Sequence, residues 1–127
     1  MNDSALADPL VLAFEQATLD PTRFHHREHL YVAWCYLRAL PLEDALARYV
    51  RHLRALVKVL GAEQKFHRTL TWAWLVRLDE AMRRAPEAAF DALAAELSSA
   101  DALHAYFPPE LLDSAEARRH FVLPRRT

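Results

Sequence analysis

The sequence predicts a single all-α domain, residues 1–127, built as an up-down bundle of four to five main helices plus short C-terminal helices. Three observations carry this. Apolar residues recur at helical spacing through most of the chain. Six of its seven prolines fall at or between the ends of those segments. And there is a single glycine, Gly61, where sandwiches and barrels need many glycine turns and phosphate-cradling loops need several.

The elements follow in order. Asp8-Pro9 pairs an N-cap with proline at the first helical position and opens a helix to about Ala17. Thr18 to Phe24, broken by Pro21, reads as a loop. A second helix is expected over His25–Ala39, with Leu30, Ala33, Trp34 and Leu37 as its apolar stripe. Pro41 separates it from a third, Leu42–Leu60, ended by Gly61 in the left-handed position after the helix. The fourth is expected over Lys65–Ala85, and Pro86 opens a fifth to Leu97. Shorter pieces follow at Ala100–Tyr106, Pro109–Leu112 and Ser114–Phe121, before an extended tail. Short connections favour antiparallel neighbours, which would make helices two and four parallel, with their N-termini at one end.

Composition excludes several function classes. Sixteen basic and seventeen acidic residues leave a net charge of −1, so there is no global field to attract nucleic acid or an anionic membrane. The first residues lack the basic start of a signal peptide, and no apolar run approaches the ~20 residues of a membrane span. The lone Cys35 can form no internal disulfide, which suits a reducing compartment. A soluble, cytoplasmic protein is the expectation. Seven histidines are the compositional hint of chemistry.

Those histidines concentrate at two helix starts. Successive residues turn by about 100° around a helix, which puts His26 in the middle of the core stripe of helix two, His29 on its border and His25 outside it. On helix four the same geometry makes His67 central, with Thr71 one turn further in, Trp74 on the same stripe and Arg68 towards the rim. Three inward imidazoles at one end of two parallel helices would suit a metal ion with one open position. Zinc, copper, iron and nickel are all admitted by ligand softness. The alternatives are a metal-free pocket in which histidines act as general acid and base, and histidines that are purely structural. The H-x-x-H pair lacks the glutamate of H-E-x-x-H.

The runs Phe24-x-His26-x-x-His29-Leu30, Phe66-His67-x-Thr69-x-Thr71 and Ser114-x-x-Ala117-Arg118 resemble, in order, the motifs of a family of small bacterial helical proteins. That pattern is an aromatic followed by H-x-x-H-L, then Y-H-E-T-x-T, then S-x-x-A-R before a proline. The resemblance implies site residues, not an activity: His26, His29, His67, Thr69, Thr71, Ser114 and Arg118. The chain departs from the pattern at Arg68, where the family carries glutamate, and in lacking an acidic residue after Pro124.

The leading reading is a small histidine-ligated metalloprotein acting on a small molecule, with His26, His29 and His67 on the metal and Thr71 positioning a bound water or substrate. Trp74 would line the pocket, and Arg118, oriented by a Ser114 cap, would pair with an anionic group. The rival is a non-catalytic helical binding module, a homodimer among its forms, with Trp72 facing another helix or a dimer partner. Arg48, Arg51, Arg54 and Lys58 on helix three read as a solvated face rather than a phosphate site, Arg118, Arg119, Arg125 and Arg126 make the C-terminal end basic, and Cys35 reads as packing.

Overall fold

The computed structural model describes residues 3–124, and among these there is helix and no strand. The basic tail residues Arg125 and Arg126 lie outside the described residues. Among the described residues, eight α-helices form: α1 (Pro9–Glu15), α2 (His26–Ala39), α3 (Leu42–Val59), α4 (Arg68–Arg84), α5 (Phe90–Glu96), α6 (Asp101–His104), α7 (Pro109–Leu112) and α8 (Ala115–Arg119). None is long and apolar enough to cross a membrane. The chain divides into two compact units, Met1–Lys65 and Phe66–Thr127. The parallel pairing expected of helices two and four would join one unit to the other.

In the N-terminal unit, α1, α2 and α3 pack on one another, and a 3-10 turn at Asp3–Ala7 lies against α1 and α2. Asp8 opens α1 as expected, its carboxylate accepting from the Leu10 N–H at 2.9 Å. The same carboxylate accepts from the Tyr31 hydroxyl of α2 at 2.5 Å, so one cap also ties two helices. Phe14 is fully buried and stacks between Phe24 and Tyr49, with ring centroids 5.7 and 5.1 Å away. Cys35 is 1% exposed and its thiol is pushed up to about 11, chiefly by burial, so it packs as an inert side chain.

Two helices here end in the same hydrogen-bonded form. After α3, Gly61 takes φ +66° while Gly61 N–H and Ala62 N–H bond back to Lys58 and Val57 carbonyls. After α1, Ala17 does the same at φ 56°, with its own N–H on the Phe14 carbonyl and Thr18 N–H on Ala13. Both are Schellman caps, and glycine is the residue that adopts this conformation without a Cβ conflict. The first was legible from Gly61; the second carries an alanine and gives no such signal.

In the C-terminal unit, α4 packs against α5, α6 and α8. Ala73, Leu103 and Leu112 form a buried cluster that Leu70, Trp74 and Phe107 flank. Two starts differ from expectation. Helix α4 begins at Arg68, not Lys65, because His67 is extended (φ −133°, ψ 108°) and serves as the N-cap. Helix α5 begins at Phe90, not Pro86. Proline drives the preceding residue out of the helical region, Ala85 sits at ψ 69°, and a turn with Ala88 N–H on the Ala85 carbonyl follows. The helix starts where the apolar spacing Phe90, Leu93, Ala94, Leu97 starts, all four being buried.

Candidate functional site

His29 and His26 sit three residues apart in the first turns of α2. Glu28 closes this end of the helix by accepting from the His25 backbone N–H at 2.8 Å, and the His25 side chain is 72% exposed, as the periodicity predicted. His29 turns inward. Its Nδ1 lies 2.8 Å from the hydroxyl of Tyr49 on α3, and the ring of Phe24 covers it with centroids 4.1 Å apart. Burial, reinforced by the neighbouring His26, lowers its pKa to about 4, so the ring is neutral at pH 7. Burial raises the Tyr49 phenol well above its ordinary range, so it too stays neutral. Nε2 of His29 makes no hydrogen bond among the described residues, and it is not fully shut off from solvent.

On the same unit lies a second polar group that the sequence reading missed. Glu15, the last residue of α1, accepts from Arg48 Nε at 2.7 Å and Nη2 at 3.0 Å, and from the Tyr36 hydroxyl at 2.5 Å. His52 Nε2 stands 3.7 Å from the same carboxylate. Burial opposes ionisation of Glu15, but the Arg48 and Tyr36 bonds outweigh it and hold the carboxyl below its ordinary value. Arg48 is therefore a fork on a carboxylate, not part of a solvated basic face. The i, i+4 spacing of Arg48 and His52 was visible; their partner on another helix was not.

His67 behaves differently from His29. Its Nδ1 accepts from the Leu70 N–H at 3.0 Å, which caps α4, so Nε2 carries the proton and donates to the Leu112 carbonyl at 2.6 Å. Both ring nitrogens are engaged inside the C-terminal unit. Neither is left for a metal in this arrangement. Thr71, expected to position water or substrate, donates its hydroxyl to the His67 carbonyl at 2.7 Å, the back-bonding common for threonine inside a helix. Trp74 packs against the Ala73, Leu103 and Leu112 cluster. Arg118 is exposed in the last turn of α8, whose N-cap is Ser114, accepting from the Ala117 N–H at 3.0 Å.

The middle and C-terminal motifs turn out to be two halves of one clamp. Beside the His67–Leu112 bond, Arg68 Nε donates to the Arg119 carbonyl at 3.1 Å. Thr69, fully buried, donates to the His120 carbonyl at 2.7 Å and accepts from the Val122 N–H at 3.1 Å. Arg68, where the resembled family carries glutamate, thus holds a backbone carbonyl, a role only a donor can fill. Trp72 stacks on Phe121 at 5.0 Å within this unit.

Of the three histidines expected on a metal, His26 and His29 belong to the N-terminal unit and His67 to the other. Within neither unit do three or more His, Cys, Asp or Glu side chains of the described residues group as a metal ion would require. Comparison of the chain with protein-family models, curated proteins and solved structures finds no match.

Proposed function

We propose that this is a small-molecule-binding helical protein whose site is the His29–Tyr49 pair, working as a neutral acid–base group without a metal. The observation that carries the reading is that one nitrogen of a mostly buried, neutral imidazole is fixed by Tyr49 while the other has no partner among the described residues. Such a ring has two forms. With Nδ1–H donating to the Tyr49 oxygen, Nε2 is a lone-pair base; with the Tyr49 hydroxyl donating to Nδ1, Nε2–H is a donor. The two forms carry the same protons, so exchange between them lets Nε2 accept a hydrogen bond from a ligand hydroxyl or donate one to a ligand carbonyl. Taking a proton from a ligand instead forms an imidazolium, with Nδ1–H still on the Tyr49 oxygen, which returns that proton. The low dielectric around a buried neutral ring favours an uncharged polar ligand, a carbonyl or hydroxyl compound, over an anion. His67 supports the metal-free form of the reading, because its nitrogens already serve a helix cap and a carbonyl.

Diethyl pyrocarbonate, which acylates accessible neutral imidazole, provides the test. At pH 6, with sites located by mass spectrometry, His29 is modified because it is already deprotonated there, while His67 is protected. Titration with uncharged carbonyl and hydroxyl fragments then shifts the His29 Nε2 nitrogen resonance. Failure of His29 to react while the exposed His25 and His120 do would overturn the proposal, as would a fragment panel that leaves its resonance unmoved. Zinc, copper, nickel or iron salts in excess should leave Tm unchanged, and a rise that His67→Ala abolishes would restore the metal reading.

A further inference from the structure

The segment that follows α8 is held by an unusual kind of contact. Apart from the His120 N–H, which closes α8 on the Glu116 carbonyl at 2.9 Å, its backbone bonds to side chains in the first turn of α4: the Arg119 carbonyl to Arg68, the His120 carbonyl and Val122 N–H to Thr69. The Phe121 ring lies between these anchors, stacked on Trp72 at 5.0 Å and edge-on to Phe107 at 6.1 Å. Beyond it, Leu123 is 72% exposed and contributes little hold. Under the same segment lies a buried polar atom that nothing satisfies: Trp72 Nε1–H has no hydrogen-bond partner among the described residues. A buried donor left unmade favours any rearrangement that gives it an acceptor.

From these features we infer that residues 119–122 are a releasable strap, opening as a unit while α4 and its core stay folded. Three side-chain hydrogen bonds, the His120 bond that closes α8 and two aromatic contacts hold the strap, whereas α4 is held by its full ladder of backbone bonds and by the buried Leu75, Leu78 and Ala81. Local opening free energies follow such differences in burial and hydrogen bonding. Release bares the Trp72 ring face, lets its indole N–H reach an acceptor, and leaves the Thr69 hydroxyl open to another extended backbone. This inference concerns the C-terminal unit alone and is independent of the His29 reading.

Native-state hydrogen exchange on the full chain tests it. The Val122 amide and the Trp72 indole N–H should exchange together, protected, but about tenfold or more faster than the Leu75 and Leu78 amides. Thr69→Val keeps the shape and removes the hydroxyl. It should speed Val122 by about a further tenfold or more, as expected for losing the two hydrogen bonds this hydroxyl makes to the strap, and leave Leu75 and Leu78 unchanged. If Thr69→Val fails to fold, Phe121→Ala serves instead, and should accelerate the Trp72 indole with Leu78 unaltered. Equal protection of Val122 and Leu78, no protection of Val122 at all, or a variant that lowers every amide alike refutes the strap.

Discussion

Acidification should unfold this protein partly through one ring. His29 is neutral in the folded state with a pKa of about 4, against an ordinary value near 6.5 when the chain is unfolded. The unfolded chain therefore binds more protons between those values. Stability from this group is fully present above pH 6.5 and is lost as pH falls towards 4. At about 1.36 kcal/mol per pKa unit, the loss is about 3 kcal/mol by pH 4, a large share of the roughly 5–15 kcal/mol that holds a small domain folded. Carboxylates titrate in the same range, and Glu15, held below its ordinary value by Arg48 and Tyr36, adds a loss of the same sign. His29→Gln isolates the histidine contribution: it keeps a polar side chain but does not titrate. Urea unfolding of both proteins at pH 7.5 and 4.5 should show the wild type losing about 2–3 kcal/mol more than the variant. An NMR titration should place the His29 midpoint well below 6. Equal losses in the two proteins, or a His29 midpoint near 6.5, would refute the argument, since a ring that protonates freely is not sealed against Tyr49.

Other outcomes follow from the caps and the clamp. Ala17→Gly should raise stability by up to about 1 kcal/mol, because it removes a left-handed Cβ conflict against a smaller gain in unfolded-chain entropy. Gly61→Ala, with nothing within 4 Å of the added Cβ, should lower stability by about 1 kcal/mol through backbone strain alone. Opposite signs in thermal melts of the two variants are the check, and like signs would contradict the shared cap geometry. His67→Ala should cost about 2–4 kcal/mol, since it removes an N-cap and leaves the buried Leu112 carbonyl unpaired. His67→Asn, able to keep the cap, should recover part of that, and no difference between the two would show that the cap contributes nothing.

The helices and most of their ends were decided by local chemistry that a sequence displays. Asp8-Pro9, Pro41, Gly61 and Ser114 act within a few residues of themselves, and their caps and stops lie where the spacing put them. The apolar stripe of α2 was legible in part: Leu30 and Ala33 are buried, but Trp34 and Leu37 are half-buried, and Val32, Cys35 and Tyr36 fill the core beside them. Where a boundary went astray, the cap was an unusual residue: His67 in place of Ser, Thr, Asp or Asn at α4, and Ala17 in place of glycine after α1. The choice of partner for each polar side chain was not legible. His29 faces Tyr49 twenty residues away, Glu15 meets Arg48 across thirty-three, and His67 and Thr69 reach the C-terminal segment across forty-five to fifty-three. A helical wheel fixes the direction in which a side chain leaves its own helix, and it carries no information about which helix lies opposite or at what height. Inward histidines therefore looked alike in the sequence. Packing made one of them a cap with both nitrogens engaged, and made another a neutral ring held by one nitrogen on Tyr49.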